Sequence, residues 1–400
     1  MMNESLSNYS PERPLILLTD HPPRAGGGGA VILRSLIGEA DRARILWLSL
    51  SPDKPGTPPD GPSQALRSGS ARVASLLKRR SMLTDSILAA QLAAEVRAIA
   101  AERKARAVWA VMHGAVVHVA AHLTGRADLP VHLTVHDDPA YGVALMSTRY
   151  LAMVPLIERD VRRSLRAARS VDVVCEDMGK RYRERYGVSS TVTHRGMSRP
   201  IEPSATHDDQ VLEVGVLGNT YGYTQLPVLA EAIIAASREA GVPGRLVVLG
   251  QGNGPRLKSD FAGRLDVEVT GHLAEPAAVE RLRRCFALYL NYPFGLRAAV
   301  LRQTSFPTKL TTYIQAARPL LVHAPSDSSI RFLSGRAFAD YAAWWDDKSV
   351  ESGARALVQA WRSPQLRLSR HEAAETIRRT YYDLAPNRAS LFAALNALVG

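Results

Sequence analysis

Ser305-Phe306-Pro307-Thr308-Lys309-Leu310-Thr311-Thr312-Tyr313-Ile314-Gln315-Ala316-Ala317-Arg318-Pro319-Leu320-Leu321-Val322 reads as a loop, a helix with a lysine in its first turn, a break at Arg318-Pro319, and then a buried strand. The first backbone N–H groups of a helix lack partners and the peptide dipoles add partial positive charge there, so a helix start is a ready anion site. Lys309 adds a full charge. Taken alone, the segment reads more simply as a helix with a solvated lysine. The pattern on either side of it changes that reading.

Upstream, Val211–Asn219 has the composition of a strand ending on Gly218-Asn219, and Leu226–Glu239 that of a helix. Arg245–Leu249 is a strand running into the glycine turn that starts at Gly250, and Val267–Thr270 is a short strand before Gly271-His272-Leu273. A helix over Pro276–Arg284 and a strand over Ala287–Tyr292 complete the set. Residues 201–209, rich in Pro, Ser, Thr and Asp, form a linker to an earlier alternating set.

That set begins with an apolar run, Pro14–Thr19, followed by Asp20-His21-Pro22-Pro23 and the four glycines Gly26, Gly27, Gly28 and Gly29, then a helix over Ala30–Ile37. Glycines there let a ligand approach the backbone closely. The chain has neither G-x-G-x-x-G nor G-x-x-x-x-G-K-[ST], so neither a Rossmann fingerprint nor a P-loop is present. A second strand spans Arg44–Leu50, Ser51–Ser70 reads as a loop, and Arg72–Arg80 as a basic helix-like piece. After an Ala-rich helix over Asp85–Arg103, strands at Ala107–Met112 and Val131–Val135 end on His113-Gly114 and on His136-Asp137-Asp138. Strands separated by helices point to parallel sheets, whose ligands gather at the carboxyl ends of the strands. Two successive α/β domains joined by a linker imply a cleft for a ligand.

A length of 400 residues fits two domains. The apolar share of 46% and charged share of 22% are those of a globular protein, no apolar run is long enough to span a bilayer, and Met1–Arg13 lacks the pattern of a signal peptide. Cys175 and Cys285 read as core thiols of a cytoplasmic protein, with no metal-ligand spacing. The net charge is +12, and the excess sits in the first half: residues 1–200 hold 28 Lys+Arg against 19 Asp+Glu, residues 201–400 hold 22 against 19. Such a balance suits nucleic acid, an anionic membrane surface or a phosphorylated substrate. Nucleic acid is disfavoured, because there is no zinc spacing, no basic low-complexity tail and no basic stretch interleaved with aromatics. On the helix over Pro155–Arg169, Arg159, Arg162, Arg163, Arg166 and Arg169 make a basic face, either solvated or a platform for lipid headgroups or a phosphorylated acceptor.

In this order the pieces resemble the GT-B fold of nucleotide-sugar-dependent glycosyltransferases, most like family 4 and its relatives in bacterial polysaccharide assembly. The similarity covers nearly the whole chain. It rests on the Gly26–Gly29 loop, His136-Asp137, Cys175–Met178, Arg195-Gly196-Met197, Val216–Asn219, Leu249–Gly252, Thr270–Leu273 and Pro307–Tyr313 with Ala317-Arg318-Pro319. The resemblance implies an α/β chain of two Rossmann-like domains with parallel sheets facing an inter-domain cleft. Residues 1–200 would bind the acceptor, 201–375 the donor, and 376–400 would form a helical segment packing back on the first domain.

It further implies a sugar transferred from a nucleoside-diphosphate-sugar, with UDP or GDP as the nucleotide, to a glycan or polyprenyl-diphosphate-linked acceptor. The protein would work in the cytoplasm, peripheral to an anionic membrane surface. Gly271, His272 and Leu273 would lie beside the base; Lys309 and Thr308 would face the diphosphate, with Gly218, Asn219, Gly250 and the Gly26–Gly29 loop near the same phosphates and Thr312 and Tyr313 on the donor side. A leaving diphosphate gains negative charge as the glycosidic bond breaks, and lysine with helix-end N–H groups stabilises it without a metal or other cofactor. His136 and Asp137 are the first catalytic candidates, Asp138 and His113 the second. The sequence departs from the family twice: Thr312 stands where a ribose-binding glutamate is common, and Thr220-Tyr221-Gly222-Tyr223 where a basic pair is common. Arg297, Arg302 or Lys258 are the available replacements for the missing charge. A sugar-nucleotide epimerase of the same fold and a scaffolding protein that has lost catalysis are the rival readings.

Over Ser369–Gly400 the sequence predicts a long helix, with Ser369 and Glu372 at capping-box spacing, a turn around Asp383–Pro386, and a short apolar helix to Leu398.

Overall fold

The computed structural model describes residues 5–21, 28–50, 63–65, 82–142, 148–203, 210–218, 223–250, 252–335, 338, 341–363 and 370–400. Gly26, Gly27, Asn219, Thr220–Gly222, the basic piece Arg72–Arg80 and Ser369 lie outside them. The strands in chain order are β1 (Leu15–Thr19), β2 (Ile45–Ser49), β3 (Ser63–Ala65), β4 (Ala107–Val111), β5 (Val131–Val135), β6 (Ser170–Val173), β7 (Thr191–Val192), β8 (Leu212–Leu217), β9 (Gly244–Leu249), β10 (Asp266–Gly271), β11 (Ala287–Asn291), β12 (Leu320–His323) and β13 (Ala342–Trp345). The principal helices are α1 (Gly28–Leu36), α2 (Met82–Glu102), α3 (Val116–Leu123), α4 (Val154–Ala167), α5 (Glu176–Tyr186), α6 (Gln225–Ala240), α7 (Gly254–Asp260), α8 (Glu275–Arg283), α9 (Lys309–Ala316), α10 (Val350–Arg362), α11 (Arg370–Ile377) and α12 (Leu384–Asn396).

The chain divides into two compact units: Met1–Gly196 with Gln303–Phe306 and Leu384–Gly400, and Met197–Arg302 with Pro307–Asp383. The first holds a seven-stranded sheet in the order β3-β2-β1-β4-β5-β6-β7, the second a six-stranded sheet in the order β10-β9-β8-β11-β12-β13. Every strand pairing within both sheets is parallel. Helices cover both faces of such a sheet, which is why β1 (LILLT) and β4 (AVWAV) are apolar at consecutive positions and wholly buried.

β3 corrects the reading of Ser51–Ser70 as loop throughout, since Ser63, Gln64 and Ala65 pair in parallel with Trp47, Leu48 and Ser49. Three residues among prolines and glycines carry no period a sequence reading can detect. α3 was also not foreseen. Its residues VVHVAAHL are apolar on nearly all sides and almost all buried, so there is no amphipathic stripe to read.

In unit 1, α12 is tied down by side chains. Asn396 Nδ2 donates to the Ser5 carbonyl at 2.9 Å, the Tyr9 hydroxyl to the Leu395 carbonyl at 2.6 Å, and Arg388 pairs with buried Asp41. Phe392 and Leu395 join the core formed by β1, β4 and β5. The break before α12 falls at Asp383 alone, not across Asp383–Pro386: Pro386 lies in the first turn of α12, where a missing N–H removes no helical bond. A π-helical turn over Arg378–Tyr382 precedes it. Within unit 2, α6 packs on α10, and Leu229, Ile233, Leu357 and Trp345 belong to one core.

Candidate active site

The carboxyl ends of β1, β4 and β5 are adjacent in unit 1, and their last residues form a cluster of imidazoles and carboxylates. Gly114, just past β4, has φ +55°, and a Cβ there would lie 2.5 Å from the Asp20 carboxyl carbon. Only glycine lets the two chain segments come this close. Asp20 Oδ1 accepts the Ala115 N–H at 3.3 Å, while Oδ2 lies 3.4 Å from His21 Nε2. The His21 ring is 6.4 Å from that of His113, centroid to centroid. Asp20 and His21 were not among the sequence candidates, although the strand-end argument that selected His113 and His136 applies to the end of β1 equally.

His136 leaves the end of β5 against the start of α1, where a Cβ on Gly29 would lie 3.0 Å from its Nδ1. Gly29 is thus a packing glycine for His136. Burial pushes the His136 pKa down to about 4, His113 adds to that, and Asp172 opposes it. The ring is therefore neutral near pH 7. Its Nε2 is shielded from solvent without a hydrogen-bond partner among the described residues. Asp172 itself is held beneath by His132 Nε2 at 2.7 Å and by Thr134, whose Oγ1 also accepts Trp109 Nε1 at 2.8 Å.

Burial raises the pKa of Asp137, with Asp138 adding to the effect and His113 opposing it. Asp138 holds the backbone: its Oδ1 accepts the N–H groups of Ala140, Tyr141 and Gly142 at 3.1, 2.7 and 3.4 Å, closing the turn after β5. Just past β6, Cys175 lies 3.6 Å from the Thr304 carbonyl, and burial raises its thiol pKa to about 12. It is a core thiol.

In unit 2 the corresponding strand ends carry glycines. Gly218, Gly250 and Gly271, after or at the ends of β8, β9 and β10, have φ of +68°, +114° and +71°. The Gly218 N–H donates to the Leu249 carbonyl and the Gly250 N–H to the Gly271 carbonyl, both at 2.8 Å, so the three ends are linked through backbone. His272 is exposed and Leu273 half-buried just beyond them.

α9 starts at this end of the sheet. The N–H groups of Leu310 and Thr311 donate to the carbonyls of Pro307 and Thr308 at 3.0 and 3.3 Å, so its pull on an anion comes from the helix dipole and Lys309 rather than from those two donors. Thr308 occupies the N-cap, with no hydrogen bond from its own side chain into the helix. Lys309 Nζ is shielded from solvent, and burial pushes its pKa down to about 8. Tyr313 is fully buried; its hydroxyl accepts the Leu217 N–H at 2.8 Å and donates to the Tyr289 carbonyl at 2.9 Å. It positions α9 against β8 and β11. Thr312, 5% exposed, donates to Glu275 Oε1 at 3.1 Å.

Of the three residues considered for the missing charge, two are placed elsewhere. Arg302 is buried and committed to Asp327 through Nε and Nη2 at 2.7 and 2.8 Å. Lys258 lines a cavity with Pro243, Gly244 and Asp266, at the amino ends of β9 and β10. Arg297 is exposed in the connection after β11. Arg256, in the first turn of α7, lies 4.0 Å over the Tyr223 ring but is also 3.6 Å from Asp260. On the basic face of α4, Arg159 pairs with Asp160, Arg162 with Glu158, and Arg166 donates to the Tyr186 carbonyl. Arg163 and Arg169 are exposed.

No protein-family model matches the sequence, and no curated protein matches it. Solved structures do. A sucrose-phosphate synthase from Thermosynechococcus elongatus is similar with a TM-score of 0.66 at 14% identity, over 96% of this chain and 99% of that one. Anabaena HepE in complex with UDP and glucose is similar with a TM-score of 0.64 at 14% identity, over 96% and 100%. An α,α-trehalose-phosphate synthase (UDP-forming) from Burkholderia vietnamiensis gives 0.62 at 15% identity, over 97% and 98%. The chain has the two-domain α/β architecture of the GT-B fold.

Proposed function

We propose that the chain is a hexosyl-type glycosyltransferase. The second unit holds a nucleoside-diphosphate-sugar, and the first presents a hydroxyl of a glycan or polyprenyl-diphosphate-linked acceptor. The observation that carries this reading is Lys309: a shielded ammonium in the first turn of α9, at the sheet end where Gly218, Gly250 and Gly271 have positive φ. A lysine desolvated to this degree gains most from a ligand that brings negative charge to it. UDP is the first choice of nucleotide, supported by the UDP and glucose complex of the similar HepE.

In the transfer, the bond from the anomeric carbon to the diphosphate oxygen breaks and its electron pair leaves with the diphosphate. Lys309 and the α9 dipole stabilise that charge. The acceptor oxygen forms the new bond to the anomeric carbon and gives up its proton. His136, neutral near pH 7, accepts that proton if the reaction inverts configuration; if it retains, the diphosphate takes the proton and His136 serves as a hydrogen-bond partner. Asp172 and His113 set the charge around it. The motif order supports placement in family 4. Lys309 rather than a metal carries the charge in this scheme.

No described helix is long and apolar enough to cross a membrane. The exposed Arg163 and Arg169 support a weak peripheral attraction to anionic lipid, which a liposome sedimentation assay at rising salt would detect. The main test is a thermal-shift series with UDP, GDP, ADP, CMP and dTDP on the native chain and on Lys309→Ala. One nucleotide raising the midpoint of the native protein but not of the variant supports the reading. No response to any of them counts against it. Conversion of a UDP-sugar to its epimer without acceptor would point to the epimerase instead.

A further inference from the structure

We propose that unit 1 holds a further anion site, at the amino end of its sheet, which takes the phosphate or diphosphate group of a small molecule or a lipid. The residues that precede β1, β4 and β5, with the end of α2 and the chain just past α12, wall a cavity of about 510 Å³. His113 and His136 lie at the opposite end of the same sheet. Arg13, Arg97, Lys104 and Arg106 line the cavity, over a floor that includes buried Ala100, Leu129 and Leu398. Part of the basic excess of residues 1–200, which the transfer chemistry does not use, is thus gathered in one place.

Little of this charge is cancelled. Of the described residues that line the cavity only Asp128 is acidic, and its two oxygens accept from Nε and Nη2 of Arg126 at 3.1 and 3.2 Å. Arg126 first, and Arg97 more weakly, hold its carboxyl below the usual range. Arg106 donates to the Asn8 and Val399 carbonyls at 3.1 and 2.9 Å, and Arg97 to the His122 carbonyl at 3.1 Å. Neutral acceptors fix the two guanidiniums and leave their charge, and the guanidinium fork suits phosphate oxygens. Arg13 and Lys104 are exposed, and their side chains make no hydrogen bond or ion pair among the described residues. α2 and α12 end here, but two helix ends bring together about one unit of negative charge against the four cations.

Lys104 adds a second observation. It takes φ +53° just past α2; its N–H donates to the Ala101 carbonyl at 3.2 Å, and that of Ala105 to the Ala100 carbonyl at 2.8 Å. Glycine ordinarily closes a helix in this way. A lysine there is strained, which the turn itself does not require.

The experiment is calorimetric titration with inorganic diphosphate of Lys309→Ala, the chain without the proposed donor cation, repeated with Arg13→Ala, with Lys104→Gly and with both added. Binding is expected to persist in Lys309→Ala and to weaken by about tenfold when both are added, the size of a hydrogen bond to a charged group. Lys104→Gly relieves the left-handed strain, so its urea midpoint should hold or rise while its affinity falls, a pair of results that misfolding does not produce. A parallel arm sediments the native chain and the Arg13→Ala, Lys104→Gly double variant with phosphatidylcholine vesicles, with and without phosphatidate. Soluble binding lost with the two substitutions assigns the site to a free phosphate compound. Phosphatidate-dependent sedimentation lost with them, without soluble binding, assigns it to a lipid headgroup. Equal titration and equal sedimentation with and without the two substitutions overturn the proposal, as does the absence of both kinds of binding. Because Lys309 is replaced in every titration, these outcomes are independent of the donor-site reading.

Discussion

The two sheets end differently where it matters. In unit 1 the carboxyl ends of β1, β4 and β5 carry Asp20-His21, His113 and His136-Asp137, imidazoles and carboxylates among which burial lowers the His136 pKa to about 4 and raises that of Asp137. In unit 2 the ends of β8, β9 and β10 carry Gly218, Gly250 and Gly271, and Lys309 stands in the first turn of the helix that starts at that end. The same architecture thus places imidazoles and carboxylates at the strand ends of one half, and glycines beside a buried lysine at those of the other. That asymmetry is what a transfer reaction asks for: one half must move a proton, and the other must hold a charge that grows on the leaving group.

The largest expected effect separates the two halves directly. Lys309→Ala should weaken nucleoside diphosphate binding by about tenfold to a hundredfold, the range for losing a hydrogen-bonded charge, while leaving the stability of unit 1 unchanged. His136→Asn should do the reverse, reducing turnover and leaving nucleotide affinity intact. Titration calorimetry with UDP on both variants checks this, and equal loss of UDP affinity in the two would erase the proposed division. Next in size is Gly114→Ala. An alanine there must adopt φ +55° and must displace the Asp20 carboxylate from the Ala115 N–H. Left-handed strain of about 1–2 kcal/mol and a broken hydrogen bond of about 1 kcal/mol add up, and urea unfolding should show the loss.

The two halves should also separate by pH. Lys309 titrates near 8 in the unliganded protein. A bound diphosphate raises that value, so binding takes up a proton above pH 8, and UDP affinity is full below it and falls as pH rises through it. His136 acts in the opposite range. Its folded pKa of about 4 lies below the ordinary 6.5, so between these values the unfolded chain binds more protons and acid lowers stability. His136→Asn should flatten the fall in urea midpoint between pH 7 and pH 5, though only in part, because burial holds His194 of the same unit at about 4 as well.

What could be read from the residues follows the length of each pattern. Apolar runs such as Leu15–Thr19 and Ala107–Val111 are continuous and bounded, and the parallel sheets follow from them. The places of His136 just past a strand and of Lys309 at a helix start were legible for the same reason, since both are defined by position along one element. The contact of Glu275 with Thr312 and Gln315 was not, because it joins two helices across 37 and 40 residues of sequence. Asp20 stands just past β1 and was as readable as His136, and only its close packing against Gly114, one strand across the sheet, is tertiary. Arg302 shows the converse error. As a basic residue in the right part of the chain it reads as available, and only its pairing with Asp327 removes it. Charge can be counted in a sequence, but its commitments are tertiary.

The smallest effect is the sharpest test of whether the two sets of glycines serve different ends. Gly218 has φ +68° like the left-handed Gly114, yet a Cβ at Gly218 would meet nothing within 4 Å. Gly218→Ala should therefore cost only the left-handed strain, about 1 kcal/mol, less than Gly114→Ala. If the open space above Gly218 is where the donor's phosphates approach the backbone, the methyl group will lower UDP affinity by more than that small loss of stability suggests, because it stands in the ligand's path. Unfolding and titration on the one variant give both quantities. A small stability loss with unchanged UDP affinity would mean that the glycine serves the turn alone, and the strand-end glycines of unit 2 would then have to be explained by folding rather than by a ligand.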